Sequence, residues 1–333
     1  MATLYDVCEK TGLSTATVSR VINGSGLVKE ATRQRVIKAM RELNYRPSHA
    51  ARMLAGRKTD TIGVVLPLLD NGYYVQVLRG IDEYFTRENL KLLISFYHSK
   101  QDLLEALDSL CGEGRTDAII LMNNPFFRPD KVRRLAGDDI PIALIGQPHG
   151  NLQAIDSVLI DNFQGAYSAV EYLLRNRPKT LLLLTGPRQN HDSDERLRGA
   201  MKAIEDAPYP VDTTVLQGDF YHDGGRRVFE EHVHGQGTIP DAVFAFNDAM
   251  ALGVLDVLNE SRRQLPGEVQ LIGFDNNEIA QYIGLSSVSV PMQQIGAEAA
   301  RLVVERIKDK GSKPMCVTMG TSLIPRKTTL QNL

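Results

Sequence analysis

The first 45 residues carry three apolar stripes at the spacing of amphipathic helices. The stripes consist of Leu4, Val7 and Cys8; of Val18, Val21 and Ile22; and of Val36, Ile37, Met40 and Leu43. Thr11-Gly12-Leu13 interrupts the pattern after the first stripe. Ser14 is a suitable N-cap for the second helix because its hydroxyl can accept from an unpaired backbone N–H. The pattern predicts a minidomain of three short helices, with a tight turn between the first two.

From Thr61 onward, short apolar runs alternate with segments of helical periodicity. The predicted strands are 62–66, 92–96, 118–122, 142–145, 158–160, 180–185, 215–217, 242–246 and 269–274. The predicted helices lie near 74–88, 100–112, 163–176, 194–206, 222–232, 248–260 and 292–309. Repeated β–α units predict parallel, doubly wound sheets that are covered by helices on both faces. Because about 270 residues exceed one comfortable core, we expect two α/β lobes with a break near Asp161.

The face of the second helix opposite its apolar stripe carries Ala16, Ser19, Arg20 and Asn23. None of these side chains is bulky or acidic, and one is an arginine. Two helices joined by a short glycine-containing turn, with an exposed polar face on the second, form the pattern of a helix-turn-helix. The second helix of that motif enters the DNA major groove. From this pattern alone, a docking domain or a plain helical core remains the alternative.

Charge is distributed unevenly between the two parts of the chain. Residues 1–58 carry 11 Lys and Arg against 4 Asp and Glu, a formal charge of +7, whereas the other residues carry 27 against 36. A basic module on an acidic body is the expected footprint of phosphate binding, although a charge run is often only a solvated face. The charge therefore favours nucleic acid as a partner of the N-terminal module.

The segment from Tyr45 to Gly56 connects the three helices to the α/β region. Pro47 stands where a short helix can begin, Ser48 can cap it and Gly56 can end it. About eight residues are too few for a helix that is stable alone in water. The segment is therefore either an ordinary linker or a hinge helix that becomes ordered on DNA, with Leu54 available as an apolar wedge.

Other classes of protein find less support in the sequence. No run approaches the ~18 consecutive apolar residues of a membrane span, and a secreted sugar-binding protein would need a signal peptide that is not seen. Cys8, Cys111 and Cys316 are odd in number and far apart, unlike a disulfide framework or a metal site. GxGxxG after a strand, a P-loop and a nucleophile elbow are all missing, and His232 and His234 fit a surface pair better than a metal site. We expect no enzyme, no cofactor, and a cytoplasmic, nucleoid-associated protein.

Polar and aromatic residues follow the predicted strands. In open α/β sheets, ligands bind beyond the carboxyl ends of the strands. The residues near these ends are Leu68, Tyr73 and Tyr74; Gln147; Asn190, Asp192 and Arg196; Asp219 and Phe220; Asn247 and Asp248; and Asp275. Aromatic faces combined with Arg, Asn and Asp suit sugars and similar polyols, whose C–H faces stack and whose paired hydroxyls hydrogen-bond. For any single residue, a helix cap or a turn is an equally good explanation.

Further motifs run along almost the whole chain. They are Thr3-Leu4-Tyr5-Asp6-Val7, the run from Ser14 to Gly24, Thr32-Arg33, Leu43-Asn44-Tyr45-Arg46-Pro47, Gly186-Pro187, the run from Asn247 to Gly253, Ile272-Gly273-Phe274-Asp275-Asn276 and Arg326-Lys327-Thr328-Thr329-Leu330. Together they resemble the lactose/galactose-repressor family of bacterial transcription regulators. The resemblance implies an α/β protein with an N-terminal three-helix helix-turn-helix head at 1–46, a hinge segment at 47–58 and an effector-binding region at 59–333.

That region is expected to consist of two lobes of periplasmic-binding-protein type around a ligand cleft. The resemblance implies lobe 1 at about 59–160 plus 292–320, and lobe 2 at about 161–291 plus 321–333. It also implies a ligand-responsive repressor of carbohydrate-related genes. We expect a homodimer, because no heptad helix of the kind found in tetrameric relatives follows Leu330.

The resemblance also implies which residues contact DNA. They are Tyr5, Ser14, Thr15, Ala16, Thr17, Arg20, Asn23, Thr32, Ala51 and Leu54. Arg20 is expected to read a guanine edge beside Thr15 and Ala16. Phosphate contacts are assigned to Tyr5, Ser14, Asn23 and Thr32. Leu54 from each subunit is expected to insert at a central pyrimidine–purine step of a palindromic operator.

The implied effector-binding residues are Leu68, Tyr73, Tyr74, Gln147, Asn190, Asp192, Arg196, Phe220, Asn247 and Asp275. Arg196 and Asp275 match positions that commonly grip ligand. Asn190 and Asp192 depart from the purine-repressor branch, which favours a sugar or a sugar derivative over a purine. Val290 replaces a common cleft glutamine. Gln293 and Glu305 depart from the catabolite-control branch, although Arg301 is retained. Because Glu305 would repel a phosphate, we expect no phosphoprotein coregulator.

Overall fold

The computed structural model describes residues 2–22, 28–45, 59–67, 72–112, 114–122, 140–147, 155–236 and 238–330. The chain falls into two units, Met1–Thr59 and Asp60–Leu333. The predicted hinge at 47–58 lies outside the described residues, as do Asn23, Ala51, Leu54 and Leu68.

Three helices build the first unit. They are α1 (Leu4–Thr11), α2 (Thr15–Ile22) and α3 (Glu30–Glu42). Gly12 ends α1 in the left-handed conformation, with φ of 62°, which a residue without a Cβ adopts most cheaply. Val7, Val18 and Val36, one from each helix, are fully buried in a shared core. The three-helix minidomain with a tight turn between α1 and α2 is therefore confirmed.

The second unit alternates strands and helices. Its strands are β1 (Thr61–Leu66), β2 (Lys91–Phe96), β3 (Ala118–Met122), β4 (Ile142–Ile145), β5 (Asp156–Ile160), β6 (Thr180–Thr185), β7 (Asp212–Gln217), β8 (Ala242–Ala245), β9 (Gln270–Asp275), β10 (Ser286–Ser289), β11 (Cys316–Met319) and β12 (Ser322–Ile324). Its helices are α4 (Gly72–Arg87), α5 (Lys100–Leu107), α6 (Asn162–Leu174), α7 (His191–Glu205), α8 (His222–Gln236), α9 (Asp248–Glu260), α10 (Glu278–Ile283) and α11 (Met292–Lys308). A π-helical turn, Asp108–Gly112, extends α5.

These strands form two six-stranded sheets. The first has the order β11-β5-β4-β3-β1-β2 and the second the order β12-β10-β9-β8-β6-β7. Every neighbouring pair is parallel except β10 and β12. Successive residues of a strand point to opposite faces, so Val64 packs in one core with Val77 of α4, whereas Val65 packs in another with Leu103 of α5. The prediction of α/β lobes with sheets covered on both faces is confirmed.

The chain passes between the two sheets three times, after β5, after β10 and between β11 and β12. Two of these crossings lie side by side. The backbone N–H of Asp161 donates to the carbonyl of Met319 over 2.9 Å, and the Thr321 hydroxyl donates to the carbonyl of Asp161 over 3.2 Å. The start of α6 is therefore fixed against the last crossing.

Four elements, α10, β10, β11 and β12, escaped the sequence prediction. In β10, Ser286 and Ser287 are fully buried although they are polar. The Ser286 hydroxyl lies 2.8 Å from that of Thr329, and the Ser287 hydroxyl donates to Asp248 over 2.6 Å. These partners stand about 40 residues away in sequence, so local periodicity could not reveal a buried strand. None of the helices in the described part of the chain is long and apolar enough to span a membrane.

Candidate functional site

Arg196 lies at the centre of a polar cluster beyond the carboxyl ends of the second sheet. It projects from the second turn of α7 and is only 5% exposed. Its Nε donates to Asn162 Oδ1 over 2.8 Å and its Nη1 donates to the carbonyl of Phe246. The guanidinium carbon lies 3.7 Å from the centre of the Phe274 ring. A stacked and hydrogen-bonded guanidinium of this kind has one defined orientation.

Asp275 faces this arginine from the end of β9. Its Oδ1 lies 3.9 Å from Arg196 Nη2, and its side chain is 15% exposed. The separation from Arg196 exceeds the length of a hydrogen bond. Burial raises the pKa of Asp275 to about 7, while Arg196 opposes and Asp192 adds to the shift. A largely buried carboxylate that is not hydrogen-bonded to its arginine neighbour is an acceptor that a ligand can satisfy.

Asp248 supports the turn that carries Asp275. It is fully buried at the first turn of α9. Its carboxylate accepts from the Ser287 hydroxyl over 2.6 Å and from the backbone N–H of Asn277 over 2.8 Å. Burial, followed by the charge of Asp275, raises the pKa of Asp248 well above its usual range. Asp248 is thus a structural neighbour of the site, behind the residue that faces the cleft.

Asn162 joins two of the predicted ligand residues, and the sequence analysis did not single it out. Its Nδ2 donates to Asp192 Oδ1 over 2.9 Å, while its Oδ1 accepts from Arg196. It begins α6 directly after β5 and the first crossing. The available signal was its place after a predicted strand, next to Asp161.

Phe220 forms a wall of the cluster. It has a φ of 71°, and its ring packs so closely on Gly186 that a Cβ there would lie 2.2 Å from the ring. Its ring centre is 5.9 Å from the Arg196 guanidinium. Asn247 holds the backbone of Phe220 by donating from Nδ2 to its carbonyl over 2.8 Å.

Two of the predicted ligand residues serve as helix caps. Asn247 Oδ1 accepts from the backbone N–H of Met250, and Asn190 Oδ1 accepts from that of Ser193. For both residues the cap explanation offered by the sequence therefore holds, and Asn247 has both ends of its amide occupied. These bonds fix the loops at the start of α7 and α9.

Residues of α4 and β4 complete the cluster from the layer of the first sheet. Tyr73 meets Tyr74 edge to face, with 5.3 Å between ring centres. Burial and then Asp192 raise the pKa of Tyr73 well above its usual value, and Asp275 adds to this shift. Tyr74 instead lies in the hydrophobic core. Gln147, after β4, lines a cavity of about 180 Å³ together with Asn162 and Asp192.

The first unit presents the predicted DNA-reading side chains on α2. Thr15, Ala16 and Arg20 are exposed, whereas Thr17 is half-buried. Ser14 Oγ accepts from the Thr17 backbone N–H over 3.3 Å, so the predicted N-cap is present. Outside α2, Tyr5 on α1 is 74% exposed, and Thr32 on α3 is half-buried.

Comparison with known proteins identifies the family. Residues 3–48 match the bacterial regulatory proteins of the lacI family, and residues 170–329 match the periplasmic binding protein-like domain. The chain is 32% identical over 335 residues to the HTH-type transcriptional repressor PurR of Vibrio parahaemolyticus, which covers 98% of both chains. It is 33% identical over 310 residues to catabolite control protein A of Priestia megaterium, covering 91% of this chain and 92% of that one.

The chain belongs to the lacI family of bacterial regulatory proteins. Among solved structures it is similar to the lac repressor dimer bound to operator and an anti-inducer (26% identity, TM-score 0.85, 99% of both chains). It is also similar to the transcriptional regulator CelR in complex with cellobiose (29% identity, TM-score 0.73, 98% of this chain and 100% of that one).

The family membership confirms the central predictions from the sequence. This lacI-family chain is a ligand-responsive DNA-binding regulator of transcription and not an enzyme. Members of the family bind operator DNA and small-molecule effectors and act as dimers. In the described part of the chain, His, Cys, Asp and Glu side chains form no group of three or more that could hold a metal ion.

Proposed function

We propose that this protein represses carbohydrate-related genes and is controlled by a small, neutral polyhydroxylated effector that binds beside Arg196 and Asp275. The supporting observation is the 3.9 Å gap between Arg196 Nη2 and Asp275 Oδ1. This separation is too long for a hydrogen bond, yet one hydroxyl oxygen fits within about 2.8 Å of both groups. Such a hydroxyl would accept from the guanidinium and donate to the carboxylate.

The surroundings suit a sugar ring. Phe220 and Tyr73 offer aromatic faces for C–H groups, and Asp192 offers a second acceptor for hydroxyls. Leu68, Gln147, Asn190 and Asn247 belong to the proposed lining or to the loops that shape it. The carboxylates of Asp275 and Asp192 belong to the same cluster as Arg196 and would repel a phosphate, so a sugar phosphate is a poorer fit.

Control of DNA is proposed to act through the organisation expected from the sequence. Two heads, residues 1–46 of each subunit of a homodimer, read half-sites of a palindrome, and the hinges at 47–58 become ordered between them. Arg20 reads a guanine beside Thr15 and Ala16, and Tyr5, Ser14, Asn23 and Thr32 contact phosphates. Ala51 and Leu54 enter the minor groove. Such a regulator acts in the cytoplasm, where the chromosome is.

Effector binding is proposed to change how the two lobes close and so to bias the order of the hinge. Gln76 on α4 donates to Glu278 on α10 over 3.0 Å, and Gln293 on α11 donates to Gln76 over 2.7 Å. The first bond links a helix of the first sheet's layer to one of the second, and the second bond holds Gln76 in place from within the first layer. The Gln76–Glu278 bond is a contact that a change in closure would make or break.

The effector is proposed to act without a phosphoprotein coregulator. Arg301 is held by Glu298, which accepts from its Nε over 2.9 Å and its Nη2 over 2.6 Å. Glu305 accepts from its Nη1, also over 2.6 Å. With two carboxylates around it, this arginine is a poor site for a phosphate.

Thermal shift with a compound panel tests the effector class. The panel contains glucose, ribose, cellobiose, glucose 6-phosphate and adenine, each with wild type, Asp275→Asn and the matched control Asp194→Asn, an exposed position on α7. A compound at 100 times its Kd adds about 2.7 kcal/mol of stability. We expect a neutral sugar to stabilise wild type and the control but not Asp275→Asn. Stabilisation by adenine or by the phosphate alone would overturn the proposed class.

A further inference from the structure

We propose that Asn162 is a positioning residue that keeps Arg196 and Asp192 apart, so that both remain available to the effector. The inference rests on the proposed function, because it assumes that the effector occupies this cleft. Asn162 is 3% exposed, and both polar atoms of its side chain are used. Its Oδ1 accepts from Arg196 Nε over 2.8 Å, and its Nδ2 donates to Asp192 Oδ1 over 2.9 Å.

The spacing on α7 shows why a separating group is needed. Asp192 and Arg196 are four residues apart, with the acidic residue nearer the N-terminus, which is the favourable arrangement for an ion pair on a helix. Nevertheless, Arg196 is ion-paired within the described residues to Asp275 and not to Asp192. The Asn162 amide stands between the two side chains and satisfies each with the complementary atom.

The chemistry of the amide suits this position. One side chain must accept from a guanidinium and donate to a carboxylate, and a primary amide does both without adding charge. Without it, Arg196 and Asp192 are free to form a direct ion pair. That pair would occupy the Asp192 oxygen and turn the guanidinium away from Asp275, so a hydroxyl would lose its two partners.

The backbone of Asn162 is anchored well enough to hold such a group in place. Asp161 caps α6 by accepting from the backbone N–H of Gln164 over 3.0 Å. The same residue is bonded to Met319 and Thr321 at the neighbouring crossing. The amide therefore projects from a junction fixed on both sides, which limits its freedom to follow Arg196 or Asp192.

Crystal structures of the full-length variants without ligand provide the first test. In Asn162→Ala we expect Arg196 and Asp192 to come within 4.0 Å of each other as a direct ion pair. The matched control is Asn176→Ala, which removes one amide bond, to Gln270, just beyond the other end of α6. This control should leave both side chains where they are in wild type. Unchanged Arg196 and Asp192 positions in Asn162→Ala would overturn the proposal.

A swap of polarity provides the second test. Asn162→Asp alone places two carboxylates side by side. When it is combined with Asp192→Asn, the hydrogen bond between the two positions is restored, with the amide at position 192 as donor and the carboxylate at position 162 as acceptor. Dissociation constants are measured for whichever of glucose, ribose and cellobiose stabilises wild type. We expect Asn162→Asp to weaken binding at least tenfold in wild type but less than threefold in Asp192→Asn. Equal losses in both backgrounds would contradict the proposed role.

The outcomes separate this inference from the proposed function. If none of the sugars binds wild type, the effector class is wrong, while the ligand-free structures still decide whether Asn162 keeps the two side chains apart. If a sugar binds and depends on Asp275 but not on Asn162, the effector site stands and the positioning role fails. The melting temperature of each variant is measured alongside, because a purely structural residue would lower it without a change in Kd.

Discussion

Asp275 combines an uncommon backbone conformation with an uncommon electrostatic setting. Its φ is 109° and that of the following Asn276 is 58°, in the region that favours glycine. Asp248, Ser287 and Asn277 hold the turn from behind. Backbone strain that is maintained by surrounding bonds is characteristic of functional positions. Here it directs a poorly solvated carboxylate toward Arg196, at the cost of intrinsic stability.

Replacement of this carboxylate by an amide should therefore stabilise the free protein. Because burial raises the pKa of Asp275 to about 7, the folded state binds the proton more tightly than the unfolded state. The protonated Asp275 side chain therefore contributes fully to the free energy of unfolding below about pH 4, and this contribution is lost as the pH rises through 7. We expect the Tm of Asp275→Asn to exceed that of wild type by more at pH 8 than at pH 5. Each kcal/mol of difference in the free energy of unfolding corresponds to a Tm shift of about 2–4 °C. Thermal unfolding of both proteins from pH 5 to pH 8 tests this prediction, and a Tm difference that does not change with pH would contradict it.

Arg20 allows an equally specific test on the DNA side. A bidentate contact to guanine is worth about 1–3 kcal/mol of discrimination, so Arg20→Ala should weaken operator binding and relax the preferred sequence. Arg41→Ala, an exposed position on α3, removes the same charge away from α2 and should change affinity without changing preference. Binding-site selection with both variants shows whether the preferred DNA sequence depends on Arg20. An unchanged selected motif for Arg20→Ala would show that this residue does not read bases.

At this scale the sequence supplied part of the site. Resemblance to the family pointed to Arg196 and Asp275, and the structure brings them within 3.9 Å. Asn162 was missed because an asparagine after a strand has many ordinary uses, and only the fold shows that it lies between Arg196 and Asp192. Tyr74 was included because it follows β1 and matches a family position, and the structure packs it in the hydrophobic core.

Elements of the second unit are held at short distances by glycines. Helices α4 and α11 cross so closely that a Cβ on Gly296 would lie 2.0 Å from the carbonyl oxygen of Val77. A Cβ on Gly80 would lie 1.9 Å from the carbonyl oxygen of Gln293. Because the obstructing atoms belong to backbone, no side-chain rotation can relieve the contact. This crossing carries Gln293, which donates to Gln76, and Gln76 in turn donates to Glu278 on α10.

A methyl group at this crossing should force the helices apart. We expect Gly296→Ala to destabilise the protein by about 1–3 kcal/mol, despite the better helix propensity of alanine. The matched control is Gly267→Ala, where a Cβ meets nothing within 4 Å. Urea unfolding of the two variants gives the comparison. If Gly296→Ala unfolds at the same urea concentration as the control, the crossing is looser than described.

Strongly patterned elements were predictable and weakly patterned ones were not. The apolar run of β1 and the helical period of α11 can be recognised from a few residues of sequence, because each element buries its own apolar residues. By contrast, β10 is rich in serine and β11 is half-exposed at a sheet edge. The place of β10 is decided by pairing with β9 and with the more distant β12, and that of β11 by pairing with β5, which is far away in sequence.

The whole molecule unites a basic head with a two-sheet body through a segment outside the described residues. Within the body, three crossings join the sheets, and Asn162, next to the first of them, contacts Arg196 and Asp192. Two of the proposed effector residues are thus hydrogen-bonded to a residue next to a segment that joins the two sheets. This arrangement suits a protein in which ligand binding alters the geometry of a dimer.

The oligomeric state is the first property to check at this scale. Reading of a palindrome requires two heads, and the similar lac repressor structure is that of a dimer on its operator. We expect light scattering to give twice the mass of one chain at micromolar concentration without DNA. A stable tetramer or a persistent monomer would contradict the proposed homodimer.

Coupling between the cleft and the DNA-binding helices is tested most directly by operator titration. Fluorescence anisotropy measures the Kd for the selected operator with and without the sugar that stabilises the protein, for wild type and Asp275→Asn. We expect that sugar to change the operator Kd of wild type by about 5- to 150-fold, equivalent to 1–3 kcal/mol of coupling. Asp275→Asn should bind operator as wild type does but show no change with the sugar. A sugar that raises the wild-type Tm and leaves the operator Kd unchanged would contradict effector control of DNA binding.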